Sequence, residues 1–275
     1  MNDLVSVKWL NENISHEDLI LLDASLATTV QGDSSNQVDI TIPGARFFDL
    51  KGKFSDKSNA FPNTYPSADQ FESECRKLGI NNSSKVVVFD NRGIYSSPRV
   101  WWLFKLMGHE NVAVLDGGLP EWIKSGHETA ERIDASYTAG DFKANISEHW
   151  VKSYDDIVDN LDTCQFQIVD ARSAGRFEGI DPEPRKHLQS GKIGDSVNIP
   201  FKDLFEGGKF KSKKELKEIF EEKIPNDKPL VYSCGSGLTA CIVMLASEIA
   251  FRKGKLLFDG SWTEWAERQG LVTEE

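Results

Sequence analysis

Residues 228–250 read KPLVYSCGSGLTACIVMLASEIA, and residues 85–97 read KVVVFDNRGIYSS. In both, an apolar run rich in β-branched residues passes through a short glycine-containing loop. An uninterrupted apolar strand of this kind is what a parallel sheet buries on both faces. The two stretches sit at the centres of two halves that repeat one another. The first half runs LILLDAS (19–25), IPGARFFDL (42–50), KVVVFDNRGIYSS and VAVLDGGLPEW (112–122), and the second FQIVDARS (166–173), IGDSVNIP (193–200), KPLVYSCGSGLTA and KLLFDGSWTEW (255–265). Asp23 and Asp170, Asp90 and Cys234, and Asp116 and Asp259 lie 147, 144 and 143 positions apart. A period that long is a duplicated domain rather than a solenoid repeat.

Between the strand-like runs lie amphipathic stretches at 68–78, 153–161 and 213–222, with the spacing of helices packed on a sheet. Strand and helix alternate, which predicts an α/β fold: two tandem domains, each an open, mainly parallel sheet with helices on both faces. The first domain is expected over 1–130, a polar linker over 131–148, and the second domain over 149–275. Ligand sites in such sheets lie beyond the carboxyl ends of the strands.

The chain has 275 residues and a formal net charge of −11, which opposes loose binding to nucleic acid or anionic membranes. No apolar run approaches the ~20 residues that cross a bilayer, and the amino terminus carries no secretory pattern. Four cysteines, Cys75, Cys164, Cys234 and Cys241, match no zinc spacing and are too sparse for a disulfide scaffold. A reducing, cytoplasmic location is expected.

Cys234 stands apart because it is followed by Gly235-Ser236-Gly237-Leu238-Thr239 and then a helix. The N–H groups of a tight loop and the positive end of the next helix both favour a thiolate over a thiol. Glycines let successive N–H groups face one anion, and Ser236 and Thr239 add hydroxyl donors. The other three cysteines read as ordinary: Cys75 and Cys241 within helices, Cys164 before a strand. The first half carries Asp90 at the equivalent position, which cannot attack sulfur, so that copy is expected to be catalytically silent.

A cysteine phosphatase needs an arginine six positions after the nucleophile, where this chain has Ala240. A papain-like protease needs a histidine base, and none of the five histidines stands in a recognisable catalytic segment. A Cys-x-x-Cys oxidoreductase is excluded by Gly235-Ser236-Gly237. Sulfur transfer remains, since it asks for a reactive thiol and a nest for an anionic persulfide.

The duplication, the loop CGSGLTA, and the segments VLDGGLPEW and DARSAGRFEGIDPEPR together resemble the two-domain rhodanese family, through nearly the whole chain. The loop is similar to that of the 3-mercaptopyruvate sulfurtransferases, whereas thiosulfate sulfurtransferases typically carry bulky basic residues after the cysteine. The resemblance implies that Arg176 and Arg185 hold the carboxylate and keto oxygen of mercaptopyruvate, by paired charge-assisted hydrogen bonds. Arg172 is a further candidate substrate ligand. The bland alternative pairs these arginines with Glu178, Asp181 or Glu183. Pro182 and Pro184 stiffen the loop that presents Arg185.

The chain departs from the family pattern in carrying Gly191-Lys192-Ile193-Gly194-Asp195-Ser196 before its second-domain Asn-x-Pro, where relatives often have Gly-His-Ile-Pro-Gly-Ala. It also has Asn63 where many mercaptopyruvate enzymes bear a histidine, and Lys51 where they bear an acid. A serine–histidine–aspartate relay through Ser236 therefore lacks its histidine. The aromatics Trp101, Trp102, Phe104, Trp262 and Trp265 read as packing.

The expected activity is transfer of sulfur from 3-mercaptopyruvate through a Cys234 persulfide to a thiol or cyanide, releasing pyruvate. No metal or organic cofactor is implied. The acceptor is a thiol, with a thioredoxin-like protein as one candidate, and neither nucleic acid nor membrane is a partner. Thiosulfate as the main donor, or a non-enzymatic persulfide carrier or regulatory module, are the alternative readings.

Overall fold

The apolar runs become the central strands of two sheets. The structure is a computed structural model and describes every residue except 30, 31, 33–38, 134, 225, 252, 253, 274 and 275. By its contacts the chain divides into two units. The first comprises Met1–Asp56, Tyr65–Ser147 and Gly207–Lys209, and the second Lys57–Thr64, Glu148–Glu206 and Phe210–Glu275.

In the first unit, β1 (Leu4–Val5), β2 (Leu19–Asp23), β3 (Arg46–Phe47), β4 (Lys85–Phe89) and β5 (Val112–Leu115) form one sheet in the order β1-β5-β4-β2-β3. In the second, β6 (Val151–Lys152), β7 (Gln167–Asp170), β8 (Val197–Asn198), β9 (Leu230–Ser233) and β10 (Leu256–Phe258) follow the order β6-β10-β9-β7-β8. The two orders are the same once the copies are aligned, and every pairing in both sheets is parallel. β4 and β9 are central, and the residues of β9 are all buried, as an apolar run covered on both faces requires. The strand expected from Lys228 begins at Leu230 instead; Pro229 has no N–H to give a ladder.

The amphipathic stretches fold as helices with side-chain caps: α2 (Ala68–Lys77) on Ser67, α5 (Tyr154–Thr163) on Ser153 and α7 (Lys213–Lys223) on Ser212. α1 (Val7–Asn13) and α4 (Gly118–Lys124) pack the first sheet's core, with Leu10, Leu119 and Trp122 against Val87, Phe89 and Leu115. α3 (Ser97–Leu106) and α8 (Ala240–Ala250) follow the two central strands and are almost wholly buried. α6 (Ala174–Phe177) is a single turn after β7, and α9 (Ser261–Arg268) follows β10, with Trp262 and Trp265 in the second core.

The polar stretch 131–147 counts with the first unit. Gly140 and Phe142 donate backbone hydrogen bonds to Arg76 and Ile80, and Asn145 and Ser147 donate to Met107 and Leu106. A Cβ at Gly140 would stand 2.0 Å from the Ile80 carbonyl oxygen, so only glycine lets the chain lie this close. No helix among the described residues is long and apolar enough to cross a membrane.

Candidate active site

Cys234 directly follows the central strand β9, at its carboxyl end, and is 1% exposed. The loop it opens is held from α9. Ser261 Oγ accepts the N–H groups of Cys234 (3.2 Å) and Gly237 (3.1 Å) and donates to the Phe258 carbonyl at 2.8 Å. The Cys234 carbonyl accepts from Trp262 N–H, and the Gly235 carbonyl accepts from Thr263 through both N–H and Oγ1. Gly237 adopts φ 76°, a left-handed conformation that glycine enters without strain. The N–H groups of Ser236, Leu238, Thr239 and Ala240 meet no acceptor among the described residues.

The matching loop of the first unit shows where such N–H groups point. Asp90, fully buried, receives Arg92 N–H on Oδ1 at 2.9 Å. Its Oδ2 receives the N–H groups of Tyr95 (2.8 Å), Ser96 (3.0 Å) and Ser97 (3.0 Å), with Ser97 Oγ at 2.7 Å. Those donors are the residue two past Asp90, the last two loop residues and the first residue of α3. Counted the same way in the second unit, the donors are Ser236, Leu238, Thr239 and Ala240.

Arg176 and Arg185 both reach this loop. A Cβ at Gly235 would lie 3.1 Å from Arg176 Nη2 and 3.8 Å from Arg185 Nη1. Burial lowers the pKa of Arg185 from the ordinary arginine value, opposed by electrostatic attraction to nearby Cys234 and Glu183. Arg176 donates Nε (3.2 Å) and Nη2 (2.5 Å) to Glu183, which is itself buried. No side-chain hydrogen bond or ion pair of Arg185 occurs among the described residues.

Arg172 shares Glu183 with Arg176 but is turned mainly onto Asp170. Its side chain has no exposed area, grips Asp170 through Nε and Nη2, and donates to Glu183 and to the Gly191 carbonyl. It also stacks on Trp262, 4.3 Å from the ring centre. Burial alone would lower its pKa, but Asp170 and Glu183 override that and raise it. The first unit has the same buried aspartate, Asp23, and there Arg132 supplies the guanidinium through Nε and Nη2. A guanidinium on this aspartate therefore recurs in a copy whose loop carries Asp90 in place of a cysteine. The sequence reading of Arg172 as a substrate ligand gives way to a buried structural ion pair, because its fork is turned onto Asp170.

Asn63 belongs to the second unit by its contacts. Its Nδ2 lies 2.9 Å from Ser236 Oγ and 3.5 Å from the Ser236 carbonyl oxygen. That carbonyl can only accept, which fixes the amide nitrogen on this side and makes Ser236 Oγ an acceptor from Asn63. The residue holds φ 63°, a conformation asparagine tolerates better than most.

The other thiols fit their plain readings. Cys75 is buried in α2, and burial, helped by Glu74, pushes its thiol pKa well up. Cys241 lies in α8 and donates to the Gly237 carbonyl at 3.3 Å, and Cys164, exposed, caps α5. Trp101, Trp102, Phe104, Trp262 and Trp265 are all buried. Among the described residues, no cluster of three or more His, Cys, Asp or Glu side chains is arranged to hold a metal ion.

Sequence reasoning missed Ser261 and Thr263. Ser261 had a signal: it holds φ 52°, and the aligned residue of the first copy is Gly118 at φ 53°. A serine at a glycine position of a duplicated turn marks a side chain worth about 1 kcal/mol of backbone strain.

The rhodanese-like domain family matches residues 6–125 and again residues 153–268. The chain is 40% identical to mouse 3-mercaptopyruvate sulfurtransferase, over 98% of this chain and 95% of that one. It is 38% identical to bovine thiosulfate sulfurtransferase, over 96% of this chain and 92% of that one. Its fold superposes on the crystal structure of SseA from Escherichia coli, a 3-mercaptopyruvate sulfotransferase, with a TM-score of 0.84 at 32% identity, covering 95% of this chain and 99% of the other. With both halves matched, the same sheet order twice and a thiol at the end of the second central strand, this chain belongs to the rhodanese-like family as a tandem, two-domain member.

Proposed function

We propose that this protein is a 3-mercaptopyruvate sulfurtransferase in which Cys234 accepts the sulfur and the Asp90 unit is catalytically silent. The single observation that carries the reading is the pair of loops. Four N–H groups close on the Asp90 carboxylate, and their four counterparts beside Cys234 are open. A carboxylate oxygen stands two bonds from Cβ, as does the outer sulfur of a cysteine persulfide. The first loop thus displays the kind of anion that the second is built to receive once sulfur has been added.

The donor half-reaction balances without an outside reagent. The Cys234 thiolate forms an S–S bond to the donor sulfur, the donor's C–S bond breaks, and its electron pair moves to carbon as the pyruvate enolate. The sulfhydryl proton of mercaptopyruvate leaves the new persulfide, and one proton joins the carbon, giving pyruvate and an anionic persulfide. Ser236 Oγ accepts from Asn63, so its own O–H is left to donate, and it serves as a donor to the developing charge rather than as one member of a histidine relay. A thiol or cyanide then takes the outer sulfur and restores the thiolate.

Arg185, with no hydrogen-bonded carboxylate of its own, takes the donor carboxylate, and Arg176, fixed by Glu183, takes the keto oxygen. Arg172 holds Glu183 in place from below. The reading also puts the protein in the cytoplasm, with a small thiol or a thioredoxin-like protein as acceptor, because a free thiolate persists in a reducing compartment.

Replacing Cys234 with Ser is expected to lower pyruvate release from mercaptopyruvate by about a thousandfold or more. Residual turnover near the native rate rejects Cys234 as the sulfur-bearing residue. Arg185→Leu should raise the Michaelis constant for mercaptopyruvate while leaving discharge of a preformed persulfide nearly unchanged. The likeness to a thiosulfate sulfurtransferase favours a second reading, thiosulfate as main donor. A higher kcat/KM for thiosulfate than for mercaptopyruvate would establish it.

A further inference from the structure

Glu183 is 4% exposed, yet it stands among three arginines. Its Oε1 receives Arg172 Nη1 at 2.7 Å and Arg176 Nε at 3.2 Å, and its Oε2 receives Arg176 Nη2 at 2.5 Å. Asp170 takes the other edge of Arg172. Three guanidinium groups thus face two buried carboxylates, and one positive charge is left over, carried by Arg185. Glu267, on the surface, draws further on Arg185. Glu183 is one guanidinium removed from the cysteine loop, since the Nη2 it holds is the atom nearest the open side of Gly235.

We infer that Glu183 is a specificity-determining residue: by cancelling one guanidinium charge beside Cys234 it matches the site to a donor bearing a single carboxylate and sets it against a compact dianion such as thiosulfate. The inference rests on the reading of Cys234 as the sulfur-accepting thiol. A dianion brings two negative charges toward a thiolate, and a site with one surplus cation compensates only one of them. A mercapto keto acid with its thiol protonated brings one charge, which Arg185 pairs, while the thiolate's own charge is common to both donors. The carboxylate also has a positioning role, because its Oε1 takes Nε and its Oε2 takes Nη2 of Arg176, and the pair leaves that side chain little freedom to follow a differently shaped anion.

The test is the ratio of kcat/KM for thiosulfate to kcat/KM for mercaptopyruvate in the native enzyme, in Glu183→Gln and in Glu183→Asp. Glu183→Gln frees one cation and is expected to raise the ratio about ten- to hundredfold, the range that one unit charge a few ångströms away commands at a partly buried site. Glu183→Asp keeps the charge; it should lower both efficiencies together and leave the ratio near the native value. A ratio unchanged in Glu183→Gln, or shifted as far in Glu183→Asp, overturns the inference in favour of a purely structural carboxylate. Inhibition gives a second readout: sulfate should gain on pyruvate as a competitor when native enzyme is compared with Glu183→Gln, and an unchanged ratio of their inhibition constants overturns the inference. Failure of the underlying reading looks different, since the native protein then gains no sulfur on Cys234 from either donor and the inference falls with it.

Discussion

In the first unit four backbone N–H groups and the Ser97 hydroxyl converge on a carboxylate that the chain itself supplies, while in the second the corresponding N–H groups, in a loop that opens with a thiol, meet no acceptor among the described residues. Both loops sit at the carboxyl end of the central strand of the same five-strand order, and both turn through a left-handed glycine, Gly93 at φ 97° and Gly237 at φ 76°. What differs is what fills the nest and what braces it. At Gly118, a Cβ would lie 2.3 Å from the Gly93 carbonyl and 2.6 Å from the Asp90 carbonyl, so the first turn admits no side chain. At the aligned Ser261, the side chain reaches the N–H groups of Cys234 and Gly237 instead. The arginines differ too: residues 24–45 of the first half contain neither Arg nor Lys, whereas the matching stretch carries Arg172, Arg176 and Arg185. The loop geometry is thus common property of the duplicated fold, and the second copy differs in carrying a thiol, a serine brace and two guanidinium groups beside Gly235.

The comparison breaks most visibly at Asp90. Replacing it with Ala strips a buried carboxylate and leaves its donors unpaired, which should cost the first unit roughly 3–5 kcal/mol by chemical denaturation. A loss below about 1 kcal/mol would mean that the nest does not need its anion. Ser261→Gly sharpens the contrast in the second unit. It relieves a strained φ and so should leave stability nearly unchanged, yet sulfur transfer should fall roughly tenfold because Cys234 and Gly237 lose their shared acceptor. If activity and stability fell together, the brace would be only a fold element.

The smallest expected effect separates the units by pH. His109 is buried between Phe104 and Phe142, and burial holds its pKa below the ordinary histidine value. The unfolded chain binds that proton below about pH 6.5 while the native first unit still resists it. The stabilisation is therefore complete above about pH 6.5 and is lost as pH falls toward the native pKa. Thermal unfolding followed from neutral to mildly acidic pH should show the first unit weakening first, and His109→Gln should flatten its slope.

The sheets and the cysteine loop were legible because they are local. Apolar runs, capping serines and a Cys-Gly-Ser-Gly turn before a helix each act within a few residues. Arg176 and Arg185 were reached through family likeness, and the structure brings both to Gly235. Glu183 was only one of three carboxylates offered to the arginines; that Arg172 and Arg176, 11 and 7 residues away, both close on it while it is buried is a matter of the fold. Ser261 lies 27 residues from the N–H it accepts, and Asn63 lies 173 residues from Ser236, so neither partnership could be read from spacing. Arg172 was misjudged for a related reason: three arginines beyond one strand look alike in a string, and only the geometry shows one of them turned onto Asp170.

The account stands on Cys234 alone taking up sulfur. Mixing the protein with mercaptopyruvate in the absence of any acceptor, and analysing its peptides by mass spectrometry while measuring pyruvate, tests that directly. The predicted result is one added sulfur atom on the Cys234 peptide and an equal amount of pyruvate. Pyruvate without that adduct, or the sulfur on Cys75, Cys164 or Cys241 instead, would contradict it.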